Sequence, residues 1–173
     1  RWHRPLEGQI KAVRITRRAG KWYACFACEV EAAPLPETGQ DVGVDVGIAS
    51  LITTSAGEKE AHPGWYRAAQ RKLRVLQRRV ARRKKGSANR RKAVLALQCQ
   101  HERIANTRKD FLNKLAHRLI LRYDRIALED LRITNMVRNR HLAKSILDAG
   151  WGYLTQHLMS KAAEAGRLVL LID

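Results

Sequence analysis

Acid is scarce in this 173-residue chain relative to base: 16 Asp and Glu stand against 34 Lys and Arg, a formal net charge of +18. An imbalance of that size does not set a fold, but it favours a polyanionic partner. Cysteine is scarcer still, with three residues, which excludes a disulfide framework and fits a reducing compartment. Cys25 and Cys28 have C-x-x-C spacing, yet no second pair follows, and positions three apart on an alternating strand face opposite sides. Cys99 falls in a helical pattern and reads as a small core or surface residue. None of the six histidines pairs with another at zinc-ligand spacing, so packing or phosphate contact is the reading for each. No apolar run approaches the ~20 residues of a spanning helix and no signal peptide opens the chain. A membrane is therefore not the expected polyanion, and the expected location is cytoplasmic. The chain begins at Arg1 and stops at Asp173 directly after an apolar run, and both ends read as cut from something longer.

The length suits one domain, or one domain with an appendage, with a real core. Gln9 to Thr16 and Lys21 to Val30 alternate apolar and polar side chains, with Trp22, Ala24, Phe26, Cys28 and Val30 on one face. Joined at Ala19-Gly20, they predict a β-hairpin. Its basic outward residues read either as phosphate contacts or as a solvated face. Ala33 to Gln40 holds Pro34, Pro36 and Gly39 and reads as a linker. Three strands follow, at Val42 to Val46, Ser50 to Thr54 and Glu58 to Ala61, with a tight turn at Gly47.

From Trp65 the period becomes helical. Ala69, Leu73, Leu76 and Val80 make a narrow stripe ended by Gly86-Ser87. It resumes after Asn89 through Val94, Leu97, His101, Ile104, Phe111, Leu115 and Leu119, predicting a second helix of about 30 residues and a protruding helical hairpin. That arm concentrates charge, in Arg67, Arg71, Lys72, Arg74, Arg78, Arg79, Arg82, Arg83, Lys84, Lys85, Arg90, Arg91 and Lys92. No acid occurs anywhere from Ala61 to His101. Like charges at helical spacing repel, so these residues are the candidate nucleic-acid contacts. With no aromatic residue in the run, they are suited to phosphates more than to bases.

After Tyr123 come a strand at Ile126 to Glu129, a polar stretch, and Asp148 as the cap of a helix with Trp151, Leu154, Leu158 and Ala162 on its apolar face. Gly166 lies just past that helix. Leu168 to Ile172 is a strand without alternation, so both its faces are expected to be covered. Strand, helix, strand at this spacing predicts parallel pairing.

Two acids stand out in this order of elements. Asp45 sits inside the apolar run V-G-V-D-V-G and Glu129 closes I-A-L-E. A carboxylate in such a run carries a desolvation cost that folding gives no reason to accept. Three hairpin-linked strands, a helical insertion and two parallel strands make the order of a ribonuclease H-like α/β fold, in which the first and fourth strands are neighbours. Asp45 and Glu129 would then meet, and two convergent acids beside a basic surface suggest metal-assisted chemistry on nucleic acid.

V-G-V-D-V-G-I, the basic hairpin ending R-R-K-K-G-S-A-N-R-R-K, H-E-R-I-A-N-T-R-K-D-F-L-N-K-L and I-A-L-E-D-L-R-I-T-N-M-V-R-N-R-H-L-A-K-S-I-L-D-A-G-W-G together resemble the TnpB family. These are transposon-encoded RNA-guided DNA nucleases related to compact type V CRISPR effectors. The resemblance implies that residues 1–40 end a wedge β-barrel. Residues 41–173 would then be a RuvC-like mixed sheet, incomplete at its C-terminus, with a helical hairpin inserted at 65–122. It implies guide RNA and target DNA as partners and two Mg2+ or Mn2+ ions held by three carboxylates. Asp45 matches the first of these and Glu129 the second. The third, with a zinc ribbon of two C-x-x-C pairs, is implied beyond Asp173, so this segment alone is expected to be inactive. Asp130, Asp148 and Asp173 match other family positions and read as turn, cap and strand end. Two competing readings are a non-catalytic nucleic-acid-binding module on a degenerate ribonuclease H-like fold and an ATPase of the actin and sugar-kinase type.

Overall fold

Residues 5–31 and 33–172 are described by the structure, a computed structural model. Arg1–Arg4 of the expected wedge segment, Ala32 and the expected strand-end Asp173 lie outside the described residues. Contacts divide the chain into two compact units, one drawn from Arg1–Ala32 with Ala69–Ala105 and the other from Ala33–Ala68 with Asn106–Asp173.

The first unit contains β1 (Gln9–Arg18) and β2 (Lys21–Glu29), paired antiparallel up to Arg18↔Lys21. Ala19 and Gly20 join them with φ of 45° and 79°, the two left-handed residues that a two-residue hairpin turn of this kind needs. Most of α1 (Trp65–Ala81) and the start of α2 (Ala88–Arg122) complete the unit. The apolar hairpin face is open, with Ile15 and Trp22 each 69 % exposed. Its polar face meets α2 instead: Tyr23 donates to Glu102 at 3.0 Å, and the Lys21 ammonium lies 3.5 Å from the same carboxylate. Lys21 thus has a protein partner where the pattern left phosphate or solvent.

The second unit is mixed α/β. Its sheet has the order β5-β4-β3-β6-β7, from β3 (Asp41–Val46), β4 (Ser50–Thr54), β5 (Lys59–Ala61), β6 (Arg125–Glu129) and β7 (Leu168–Ile172). β3, β4 and β5 pair antiparallel, and β3, β6 and β7 pair parallel, as their order along the chain predicts. Helices α3 (Ile133–Met136), α4 (Ala143–Ala149) and α5 (Trp151–Ala165) separate β6 from β7. The core combines Val42, Val44, Ile126 and Leu128 from the sheet with Leu112, Leu115, Ala116, Leu119 and Ile120 of α2 and Leu154 and Leu158 of α5. Among the described residues no helix is long and apolar enough to cross a membrane.

Several expectations are corrected here. α2 has 35 residues, more than the expected 30 or so. Of the expected stripe, Ile104, Leu115 and Leu119 are buried, but Leu112, at 0 % exposure, takes the core place expected of Phe111, which sits edge-on to Trp65, and His101 is exposed. Asp148 does not cap the helix after it. It lies inside α4, buried, and both its oxygens accept the backbone N–H of Tyr66 at the start of α1, with the Arg108 guanidinium 3.5 Å away. The break before α5 is made by Gly150, left-handed at φ 71°. β7 is an edge strand whose Leu168, Leu170, Leu171 and Ile172 are 41–54 % exposed, so its faces are not both covered by described residues. The expected linker is strapped down: Leu35 N–H donates to Ala165, Arg167 donates to Pro36, and Asp124 accepts from Thr38 and Gly39.

Candidate active site

The parallel register of β3 on β6 runs Asp41↔Arg125, Val42↔Ile126, Gly43↔Ala127, Val44↔Leu128. One further step brings Asp45 level with Glu129, on strands spaced about 4.8 Å apart. Alternation sends Val42, Val44, Ile126 and Leu128 into the core. The other face therefore carries Asp41, Gly43 and Asp45 beside Arg125, Ala127 and Glu129. Asp45 and Glu129 line one cavity of about 490 Å³ with Gly43, Thr53, Ser55, Ala127 and Ile172. The two acids singled out from sequence are thus brought together.

The charges on this face are not treated alike. Asp41 is held by Arg125 at 2.8–3.0 Å, and its carboxylate keeps that guanidinium more firmly protonated than usual. Asp45 and Glu129 have no ion pair or side-chain hydrogen bond among the described residues. Thr53 stands directly across from Asp45 on β4. Ser55 closes the strand pair: its backbone N–H donates to Gly43 O at 2.8 Å while its hydroxyl accepts the Gly43 N–H at 3.1 Å. Neither residue was singled out from the sequence, though alternation through T-T-S puts Thr53 on the face of Asp45. Among the described residues no three His, Cys, Asp or Glu are grouped to hold a metal ion. Asp130 only extends the β6–β7 ladder, donating its N–H to Ile172 O.

Of the thirteen basic candidates, Arg67 belongs to the second unit and the other twelve to the first. All are exposed except Arg90, which is half-buried. The Arg90 guanidinium donates to Val80 O at 2.8 Å and Arg83 O at 3.2 Å, and Arg91 donates to Gly86 O at 3.3 Å. These two arginines close the turn between α1 and α2. The Ser87 hydroxyl caps the start of α2 by accepting the Arg90 N–H.

Comparison with known proteins gives the family of the chain. A family model described as "Probable transposase" (OrfB_IS605) matches residues 25–140. A protein of Streptomyces pristinaespiralis named "Putative RNA-guided DNA endonuclease" is 43% identical over 176 residues, covering 100% of this chain and 44% of that protein. "Putative RNA-guided DNA endonuclease InsQ" of Escherichia coli (strain K12) is 31% identical over 185 residues, covering 98% of this chain and 46% of its own length. The chain spans less than half the length of either relative. A family match over more than half of the chain places it in the OrfB_IS605 transposase family, the TnpB family.

Proposed function

We propose that this chain supplies the carboxylate site of an RNA-guided DNA endonuclease. Its sheet would be the ribonuclease H-like, RuvC-type core, with 65–122 as the inserted helical hairpin, and it would hydrolyse phosphodiester bonds with divalent metal ions. The observation that carries the reading is the level pair Asp45 and Glu129, unpaired in a shared cavity while Asp41 on the same face is neutralised. Hard carboxylate oxygens suit Mg2+ or Mn2+, and Asp45 and Glu129 would hold the ions. Bound there, two ions stabilise charge on the attacking and leaving oxygens. The protein's own part is to fix both carboxylates on paired strands. Gly43 and Ala127, with little or no side chain, leave the groove open for a nucleic-acid backbone to approach. The exposed cations of the arm, Arg71 and Arg78 among them, attract guide RNA and target DNA through phosphates.

The test uses the intact nuclease with its guide and Mg2+. Asp45→Ala and Glu129→Gln should each abolish cutting while target binding stays within about twofold, because attraction comes from the arm. Cutting at the parental rate by either variant would remove the site assignment. Loss of binding together with cutting would point instead to a structural role for the acids.

A further inference from the structure

The segment that leaves the Glu129 strand carries a second set of cations, which the basic arm does not include. Residues 131–147 contain Arg132, Arg138, Arg140 and Lys144, with His141 between them, and no acid. All four cationic side chains are exposed, and among the described residues none has an ion pair or a hydrogen-bonded partner. An exposed cation without an acid nearby is ordinary when single. Four within thirteen residues repel one another, and among the described residues no acid pairs with any of them.

The backbone beneath them is not loose. Asp130 N–H extends the sheet onto Ile172 O, and Leu131 N–H then folds back onto Glu129 O. Arg132, three residues from Glu129, cannot be more than about 11 Å from it along the chain. Ile133 is seated against α5, where a Cβ on Gly152 would come within 3.2 Å of its Cδ1. Asn139 fixes the next turn: its Oδ1 accepts the His141 N–H at 3.0 Å and its carbonyl accepts from Leu142 and Ala143. Ile146 is then buried in α4. Apolar anchors and turn bonds thus hold the segment while its charges point to solvent.

We propose that segment 131–144 is the phosphate-gripping rim of the carboxylate site. Arg132, Arg138, Arg140 and Lys144 hold backbone phosphates of the single DNA strand being cut, on the Glu129 side of the scissile bond. The strand leads from the carboxylate into Arg132, and the turn bonds that follow carry the chain on to Arg138, Arg140 and Lys144. This inference rests on the nuclease reading of Asp45 and Glu129, but its binding test does not require cutting.

Binding of a labelled single-stranded DNA oligonucleotide is measured by anisotropy across salt concentrations, in the intact protein carrying Asp45→Ala. Adding Arg138→Gln, Arg140→Gln and Lys144→Gln should make the slope of log K against log salt shallower by about 2, at about 0.7 per lost contact on a single strand. The charge-keeping changes Arg138→Lys and Arg140→Lys should leave the slope in place. With Asp45 restored, the triple variant should cut at least tenfold more slowly while duplex target binding holds within twofold. An unchanged slope, or a cut rate equal to the parent's, overturns the rim. If the Asp45→Ala protein itself cuts, the carboxylate reading falls, and the salt slope still decides the rim.

Discussion

Arg78 and Arg90 offer a direct test of how the basic helices use their charge. Arg78 is exposed with no side-chain partner among the described residues, whereas Arg90 is half-buried with its guanidinium on the carbonyls of Val80 and Arg83. If Arg78 touches a phosphate, Arg78→Gln removes one released counterion. The salt slope then flattens by about 0.7 on a single strand or about 0.9 on a duplex. Raising salt fourfold, from about 50 to about 200 mM, should therefore weaken the parent about 2.6- to 3.5-fold more than the variant. Stability should move by less than about 0.5 kcal/mol, as for other exposed substitutions. Arg90→Gln should do the opposite. Losing two hydrogen bonds at about 0.5–1.5 kcal/mol each removes about 1–3 kcal/mol, with the slope unchanged. Anisotropy against salt reads the first quantity and the urea midpoint reads the second. Equal flattening by both variants with no difference in midpoint would refute the division of labour, and no flattening by Arg78→Gln would refute the phosphate contact itself.

Calorimetric titration of this chain with Mg2+ or Mn2+ should give only weak binding, because two carboxylates stand together where a tight site needs more oxygen donors. Micromolar binding of two ions would contradict that. Gly150→Ala should cost about 2–5 kcal/mol, combining about 1–2 for a left-handed alanine with about 1–3 for overpacking, since its Cβ would lie 3.0 Å from Leu112 Cδ1 and 3.3 Å from Arg108 Cδ. Gly86→Ala, with φ 81° and nothing within 4 Å, should cost only the first part, and equal urea midpoints for the two would refute the packing term. Asp124 is held below the usual carboxylate range, first by the Thr38 N–H and then by Gly39 N–H, the Thr38 hydroxyl and Arg167, against the opposing effect of burial. Its stabilisation is thus full above the ordinary aspartate value of about 3.9 and lost as pH falls through the lower folded value. Asp124→Asn should remove that part of the acid limb, and parallel acid unfolding of parent and variant would show the clasp to be neutral.

The sheet order was legible because each strand reports its own period and its own breakers. An acid in an apolar run stands out, as Asp45 and Glu129 did, but both prove exposed, so the desolvation cost expected of them does not apply and their juxtaposition is what remains unusual. What could not be read depends on partners distant in sequence. Asp148 precedes a helix at a spacing that suits a local cap, but the N–H it serves is at Tyr66, 82 positions earlier. The Pro-rich segment at Ala33 to Gln40 has a linker's composition, and nothing local signals that Asp124 and Arg167 will pin it. The α2 stripe held at Ile104, Leu115 and Leu119, which are buried, and failed at Phe111: Leu97, Ile104 and Phe111 are spaced by sevens, and an ideal helix drifts about 20° per heptad against that spacing. The neighbouring Leu112 and Ala116 take the buried places beside Leu115 and Leu119. For β7, a strand apolar on both sides records what its faces suit, not whether described residues cover them.

Two acids of β3 on one face show how register decides role. Asp41 falls level with Arg125 and is paired, so it serves the fold. Asp45, four residues on, falls level with an acid, and like charges side by side across strands are destabilising. Folding gains nothing from that juxtaposition, and a neutral residue at either position would remove the repulsion. A sequence that keeps both, and sets Thr53, Ser55, Gly43 and Ala127 around them instead of a cation, is locally inconsistent in the way functional sites are. A counter-charge brought from outside the chain resolves the inconsistency. On the proposed function, divalent metal would supply it at the carboxylates, and the phosphates of a bound strand would supply the complementary charge to the cations that follow Glu129.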